Sequence, residues 1–221
     1  MGRVYLDLTY PLEEGMITYN APWHPIFKIN QIGRLGLEGR ETREISFGSH
    51  TGTHIDAPRH FVDNGDGVDS LLLENLIGPV TILDYSFLNE GEAITEPMLK
   101  QHSNELKKCK RLIIRFGWAK YWGGNKFFEN YPYLSEEAAR YLLSHEIKLI
   151  GCDTPQLDSA NNIGSPIHKI LLNEKIILVE YLANLDNIHI LNGWKLIALP
   201  LKITGADGSP SRVCLYKDGT E

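Results

Sequence analysis

Three histidines and one aspartate lie within eleven positions of the sequence, in the stretch SHTGTHIDAPRHF over residues 49–61. They are His50, His54, Asp56 and His60. Imidazole and carboxylate groups bind divalent ions such as Zn²⁺, Mn²⁺ and Fe²⁺, and a small set of such ligands leaves positions open for water or substrate. Short motifs also arise by chance, since single histidines commonly serve as core or surface residues. The stretch alone therefore leaves a metal site and an incidental cluster both open.

The spacing of these residues places a condition on the backbone. All four positions are even, so a straight strand would put the side chains on one face. Residues four apart in such a strand are separated by roughly 13 Å, too far for two imidazoles to share an ion through bonds of about 2 Å. A helix is disfavoured by Gly52, Pro58 and the β-branched residues between them. We therefore predict a strand that bends sharply at residues 51–53, where Gly52 permits the unusual backbone and leaves room for an ion.

A second set of ligands is available in the segment SPIHKILLNEKIILVEYL, residues 165–182. His168 lies on a predicted short helix, and Glu180 closes an apolar strand. An ionised carboxylate needs a partner if it is buried there, and needs none if it points into water. Asp56 has two carboxylate oxygens and can therefore bridge a first ion to a second one.

The elements that must position these residues follow from the hydrophobic pattern. The first third of the sequence is rich in strands, and strands alternate with helices after residue 80. This order predicts a single α/β domain with a mixed sheet over residues 1–221. The predicted helices are 95–109, 134–147 and 167–174, and the main predicted strands are 3–12, 111–117, 148–154, 175–182 and 194–203, with a loop at 204–210.

Composition limits the partners of the protein. The 221 residues carry a formal net charge of −6. Hydrophobic residues make up 43% of the chain and charged residues 23%, which is typical of a globular protein. The sequence has no run of basic residues of the kind that binds along a phosphate backbone, so we expect no nucleic-acid partner. No apolar run approaches about 18 residues and no signal peptide is visible, so we expect no membrane span. The three widely spaced cysteines favour free thiols in the cytoplasm over a disulfide framework.

Other catalytic groups have little support in the sequence. Cys152 lies in a predicted apolar strand, where thiolate formation is disfavoured, and Ser49 lacks the G-x-S-x-G elbow of hydrolase nucleophiles. Glycine motifs that bind nucleotides are absent from the sequence. Asp153 and Asp158 are candidates for groups that support metal ligands, although the stretch CDTPQLD is equally compatible with a turn.

The stretch SHTGTHIDAPRHF closely resembles the HxGTHxDxPxH signature of the metal-dependent cyclase family, which includes bacterial kynurenine formamidases and isatin hydrolases. The resemblance covers nearly the whole chain. It implies a swivelling β/β/α fold, and a homodimer or homotetramer with pockets near the subunit contacts. It extends to the segments YLDLTYPLEEGM, GDGVDSLLLENLIGPVTILD, IGCDTPQLDS, HKILLNEKIILVEYLANLDNI and LIALPLKITGADGSPSRV.

The same resemblance implies a set of metal ligands. His50, His54 and Asp56 match the ligands of a first ion, and Asp56 matches the carboxylate that bridges to a second. His168 and Glu180 match the remaining ligands of the second ion. The resemblance implies Zn²⁺ or Mn²⁺ as the cofactor, with two ions per subunit.

The implied reaction is hydrolysis of a small amide by a water activated at the metal. The family acts on aryl formamides such as N-formylkynurenine and on cyclic amides. His60 matches the acid–base catalyst, which would protonate the leaving nitrogen. The sequence departs from the kynurenine formamidases at YNAPWHP, residues 19–25, and at Gln156, where serine is common. Within the altered segment, Trp23 and His24 are candidates for stacking on an aromatic substrate, and a plain surface loop is the alternative.

Two other functions remain open at this point. The same metal site fits a ring-closing or dehydrating reaction on a small acid. A non-catalytic protein that holds a metal or another ligand is the third possibility. His60 argues against the last one, because a purely structural site favours closed coordination and needs no acid beside the ion.

Overall fold

The structure is a computed structural model that describes residues 2–219. Its strands are β1 Arg3–Asp7, β2 Lys28–Gly33, β3 Thr42–Ser46, β4 His54–Asp56, β5 Ile77–Pro79, β6 Thr81–Asp84, β7 Ala93–Ile94, β8 Arg111–Arg115, β9 Tyr133–Leu134, β10 Leu149–Cys152, β11 Ile177–Glu180, β12 Lys195–Pro200 and β13 Gly208–Asp218. Its α-helices are α1 Leu35–Glu38, α2 Leu73–Leu76, α3 Glu96–Lys100, α4 Ser103–Leu106, α5 Glu136–Leu143 and α6 Pro166–Asn173. Short 3₁₀ helices are Pro58–His60, Val68–Ser70, Ala119–Tyr121, Asn125–Phe128 and Leu185–Asn187.

A mixed sheet forms the centre of the fold, with nine strands within residues 2–219. Its strand order is β5-β12-β13-β4-β11-β10-β8-β6, and β1 also pairs with β13. The strands β6, β8, β10 and β11 run parallel, whereas β4 is antiparallel to both of its neighbours, β11 and β13. The predicted mixed α/β arrangement is therefore confirmed.

Both faces of this sheet are buried. Successive residues of a strand point to opposite faces, so Ile113 packs with Val179 and Leu196 while Ile114 packs on the other side. The side of Ile114 also contains the buried side chains of α3 to α6, among them Leu142 and Leu171. The helices thus cover one face, and this face is the one that carries the polar cluster described below.

Several predicted boundaries are wrong. The strand expected over 3–12 ends at Asp7, and the one expected over 194–203 ends at Pro200. The helix expected over 95–109 divides into α3 and α4, because His102 leaves the helical conformation with φ −104° and ψ 20°. His102, Ser103 and Asn104 are all weak helix formers, which explains the break. The loop expected over 204–210 ends early, since β13 starts at Gly208 and pairs with β4 as far as Pro210. Among the described residues, no helix has the length and apolar character needed to cross a membrane.

The hairpin formed by β2 and β3 lies outside the central sheet. Most of its residues are exposed, and every residue of β3 is. The apolar side chains of Ile32, Leu35, Leu37 and Ile45 are each more than half exposed. A two-stranded hairpin is only marginally stable in water without further packing, so this hairpin presents an unpaired apolar surface.

Candidate metal centre

Two neighbouring strands place three of the predicted ligands side by side. In the antiparallel pairing of β4 with β11, His54 lies opposite Glu180, and Asp56 lies opposite Leu178. Paired residues share a face of the sheet, so the three polar side chains project together under the helical layer. His54, Asp56 and Glu180 are 2%, 1% and 4% exposed. Glu180 therefore does not point into water.

The backbone bends before β4, as predicted. Residues 51–53 form the bend, and Gly52 has a left-handed φ of +62°. This φ agrees with the first predicted reason for glycine at position 52, the unusual backbone. The second predicted reason, room for an ion, does not match the surroundings of Gly52. A Cβ atom at Gly52 would lie 2.8 Å from Leu12 Cδ2 and 3.2 Å from Met16 Cε. The missing side chain therefore makes room for two apolar side chains rather than for an ion.

The bend brings five predicted ligands into two groups that share Asp56. Its Oδ1 lies 2.6 Å from His50 Nδ1 and 3.2 Å from His54 Nε2. Its Oδ2 lies 3.4 Å from His168 Nε2, which is also 3.3 Å from Glu180 Oε1. The ligand atoms of each group lie close enough together for a divalent ion, and Asp56 belongs to both groups. We call these five residues the ligand cluster.

Each imidazole of the ligand cluster has its outer nitrogen held by an acceptor. His50 Nε2 lies 2.8 Å from Asp207 Oδ2, and His168 Nδ1 lies 2.6 Å from Asp158 Oδ2. His54 Nδ1 lies 2.7 Å from the carbonyl oxygen of residue 52. Metal-binding histidines show this pattern, because the outer hydrogen bond fixes the tautomer and orients the inner nitrogen. Asp158 thus supports a residue of the ligand cluster. This is one of the two interpretations that the stretch CDTPQLD allowed, and the other was a turn.

Two carboxylate oxygens in the centre lack partners. Asp56 Oδ2 and Glu180 Oε1 are buried and accept no hydrogen bond. Burial and the charge of Asp56 raise the pKa of Glu180 above its usual value. Buried oxygens without donors are costly, and a cation satisfies them. Two carboxylates and three imidazoles with inner nitrogens facing them fit divalent ions of the zinc and manganese type.

His60 lies beside the ligand cluster in the 3₁₀ helix Pro58–His60, and its side chain is 28% exposed. Its ring centre is 3.9 Å from that of His50 and 6.1 Å from that of His168. His60 Nδ1 lies 3.1 Å from Asp207 Oδ2. The sequence interpretation did not single out Asp207. An Asp-Gly pair in a polar loop signals a turn, and nothing local in the sequence indicates that the turn meets residues 50 and 60.

A cavity of about 320 Å³ opens above the cluster. Tyr19, Trp23, His24, Phe61 and Tyr181 are among its lining residues, so both predicted pocket residues lie at the cavity. Trp23 is 76% exposed at the mouth. Burial, followed by the charges of nearby histidines, lowers the pKa of His24, which favours a neutral ring. The wall combines aromatic side chains with polar and aliphatic ones, and the floor is polar. Such a cavity suits a small ligand with one ring and one polar group.

Three other residues considered from the sequence lie outside the ligand cluster. Asp153 accepts hydrogen bonds from the backbone N–H groups of Phe116 and Trp118, at 2.7 and 2.9 Å, so it anchors a loop and supports no ligand of the cluster. Cys152 is buried, and this burial raises its thiol pKa well above the usual value. Gln156 lines the cavity and donates to the hydroxyl of Tyr131 at 2.7 Å.

Comparisons with known proteins agree with this geometry. The family model of the cyclases matches residues 6–159. The chain is 32% identical over 216 residues to a kynurenine formamidase of Bacillus cytotoxicus, and the match covers 96% of each chain. The structure resembles isatin hydrolase A from Labrenzia aggregata with a TM-score of 0.87 and 27% identity, over 98% of this chain and 94% of that one.

A further similar structure is described as a potential metal-dependent hydrolase with cyclase activity. Its TM-score is 0.80 at 27% identity, over 99% of this chain and all of that one. These likenesses confirm the predicted fold and the predicted reaction class, metal-dependent hydrolysis of an amide. The chain belongs to the cyclase family.

Proposed function

We propose that this hydrolase acts on a small aromatic amide and holds two divalent ions, Zn²⁺ or Mn²⁺, in the ligand cluster. The observation that carries the proposal is the pair of buried, unpartnered oxygens, Asp56 Oδ2 and Glu180 Oε1. They face imidazoles whose outer nitrogens already have partners. Without a metal, the imidazole of His168 is the group that faces both oxygens, with its Nε2 at 3.4 and 3.3 Å. A divalent ion would compensate two buried carboxylates more fully than this one ring.

The ligand atoms divide between the two ions. His50 Nδ1, His54 Nε2 and Asp56 Oδ1 would hold the first, and Asp56 Oδ2, His168 Nε2 and Glu180 Oε1 the second. When bound, divalent ions lower the pKa of coordinated water toward about 7 and stabilise negative charge that develops on a carbonyl oxygen.

His60 would serve as the general acid. An ionised carboxylate only accepts hydrogen bonds. His60 therefore keeps a proton on Nδ1 and donates a hydrogen bond from this N–H to Asp207. Its Nε2 is then the ring atom left to exchange a proton. Hydrolysis of an amide consumes a water and leaves an amine nitrogen that needs a proton. His60 Nε2 would accept a proton from the attacking water and then give it to that nitrogen, since an imidazole can gain and lose a proton near neutral pH.

The cavity supports an aromatic substrate. Tyr19, Trp23 and Phe61 offer ring faces around a floor of carboxylates and imidazoles, and stacked or edge-to-face ring pairs contribute about 0.5–1.5 kcal/mol each. N-Formylkynurenine is the first candidate, since the relative in Bacillus cytotoxicus is a kynurenine formamidase. An isatin-like cyclic amide is the second, in view of the similarity to isatin hydrolase A.

The test is hydrolysis of N-formylkynurenine and of isatin by purified protein loaded with zinc or manganese. We expect turnover that depends on added metal and is lost in Asp56→Ala. His60→Ala should lower kcat by about 10²–10⁴-fold while both ions remain bound. If His60→Ala instead loses metal, His60 is a ligand and its assignment as the acid is wrong. Metal-loaded protein that hydrolyses neither amide would contradict the proposed substrates.

We also propose a homodimer or homotetramer in which the β2–β3 hairpin forms the contact. Its exposed apolar side chains support this, because a second copy would bury them. Leu37→Glu should reduce the mass measured by light scattering to that of one chain, whereas Phe87→Glu should not. Phe87 is a matched control, since it is 68% exposed and lies outside the hairpin. A mass of one chain for the unmodified protein would contradict the proposal.

The cytoplasm is the proposed location. All three cysteines are free, and thiols persist in a reducing compartment. Fractionation of the native cells with an antibody against the chain tests this, and recovery outside the cytoplasmic fraction would contradict it.

A further inference from the structure

The loop before β13 is held firmly against the segment that carries His60. The backbone carbonyl of Asp207 accepts from Ala57 N–H at 2.9 Å, and Ala206 accepts from Val68 N–H at 2.9 Å. Asp69 Oδ1 accepts from Gly205 N–H at 3.1 Å. The position of the Asp207 backbone is therefore fixed by hydrogen bonds that do not involve its carboxylate.

The next residue brings the loop against the ligand cluster. A Cβ atom at Gly208 would lie 2.7 Å from His50 Cε1 and 2.9 Å from the carbonyl oxygen of Ile55. Only glycine allows the backbone to approach the imidazole this closely. The loop thus packs on the His50 ring at the point where the Asp207 side chain begins.

One oxygen of Asp207 serves two imidazoles. Its Oδ2 lies 2.8 Å from His50 Nε2 and 3.1 Å from His60 Nδ1. The two rings are only 3.9 Å apart between centres and tilted by 34°. The Asp207 side chain is 38% exposed, whereas those of His50 and His60 are 12% and 28% exposed. The carboxylate therefore lies on the outer side of two closely spaced, tilted imidazole rings.

We propose that Asp207 is a positioning residue for the reaction, whose shared oxygen fixes the tautomer and orientation of His60 relative to the His50 side of the ligand cluster. This inference rests on the proposed function, in which His60 is the acid. With its Nδ1 proton held by Asp207, the imidazole presents Nε2 to the substrate. Without that acceptor, either nitrogen carries the proton and the ring rotates more freely.

The role differs from that of an ordinary loop anchor. A loop anchor acts through the backbone, as Asp69 does at Gly205. Asp207 acts through two side chains, one that the cluster uses and one that the acid step uses. Asp207→Asn keeps the size and removes the charge that holds both N–H groups. Asp69→Asn alters a neighbouring hydrogen bond of the same loop and touches neither imidazole, so it is the matched control.

The first measurement compares steady-state constants of zinc-loaded variants. Asp207→Asn should lower kcat by about 10–100-fold with KM within about twofold, as expected for loss of a partner that orients a ligand or catalytic ring. Asp69→Asn should change kcat by less than about threefold. Unchanged kcat in Asp207→Asn, or an equal loss in Asp69→Asn, would overturn the proposal.

The second measurement repeats Asp207→Asn in a His60→Ala background. If Asp207 acts through His60, its loss should cost less than about threefold there, because the two residues work as one unit. A loss as large as in the unmodified background would mean that Asp207 acts only on His50 and its ion, which rejects the proposal.

The third measurement needs no substrate. In zinc-loaded protein with ¹⁵N-labelled histidine, NMR should show His60 as the Nδ1–H tautomer, and Asp207→Asn should convert it to a mixture. A wild-type His60 in the Nε2–H tautomer would refute the inference even if the enzyme is active. If the protein instead shows the expected tautomers of His60 but hydrolyses no amide, the proposed function is refuted. The positioning of His60 by Asp207 would then still stand.

Discussion

The ligand cluster and the rim segment, residues 19–25, line one cavity but differ in construction. Members of the cluster lie on β4, β11 and α6 or next to them, and their side chains are at most 12% exposed. The rim segment contains no strand or helix, and Trp23 is 76% exposed. Strand register therefore fixes the ligand atoms of β4 and β11. The rim segment is instead placed by side-chain contacts, such as that of Tyr19 with Phe128, and in the proposed function it is the part that meets the substrate. Substitutions in the rim segment can therefore alter substrate preference while the ligand cluster stays the same.

The sharpest test of this division is Asp56→Asn. The residue supplies one oxygen to each ligand group, so we expect loss of both ions and of activity, by more than the ~100-fold that an outer partner costs. Metal analysis after gel filtration and kcat at saturating substrate measure this. Asp63→Asn is the exposed control in the adjoining loop. Two ions retained in Asp56→Asn would show that the cluster is not organised around this carboxylate.

A second test asks whether the bend before β4 is needed for the cluster. Gly52→Ala should lower the free energy of unfolding by about 2–4 kcal/mol, from the left-handed φ and the contact with Leu12 together. It should also lower the metal content. Gly15 has φ +85° and nothing near a new Cβ, so Gly15→Ala should show the smaller backbone cost alone. Full metal content in Gly52→Ala would separate the bend from the site.

A third test concerns the outer partners of the histidines. Asp158→Asn replaces the charged acceptor of His168 Nδ1 with a neutral amide that can no longer accept through both of its atoms. The metal affinity should therefore fall by about 10–100-fold. Asp153→Asn is the control, because Asp153 is equally buried but bonds only to backbone N–H groups. Competition with a chelator measures both affinities. Equal losses in the two variants would indicate a general effect of buried aspartates.

The smallest effect should come from the rim. Trp23→Ala should raise KM for an aromatic amide by about 2–10-fold, the equivalent of one aromatic contact. The free energy of unfolding should stay within about 0.5 kcal/mol, and the metal content should not change. Phe87→Ala provides an exposed aromatic control outside the cavity. A collapse of kcat in Trp23→Ala would mean that the rim takes part in the chemistry.

Three of the five residues of the ligand cluster have a local signal in the sequence, whereas His168 and Glu180 were predicted through the resemblance to the cyclase family. His50, His54 and Asp56 lie within seven positions, and the glycine between them indicated the bend. Asp207 could not be predicted, because it lies 157 positions from His50 and meets it only through the pairing of β13 with β4. Hydrophobic periodicity gave the alternating strands and helices. It did not give the break at His102, where weak helix formers decide between one helix and two.

The position of β4 between β11 and β13 also has a consequence for how the chain folds during its synthesis. During synthesis, His50, His54 and Asp56 leave the ribosome long before Glu180 and longer still before Asp207. A chain of that intermediate length has three of the five residues of the ligand cluster and no strand on either side of β4. Contacts that span so much of the sequence form slowly, and metal binding is coupled to folding. If the ligand cluster holds metal, we therefore expect newly made chains to acquire it late, after β11 and β13 have paired with β4.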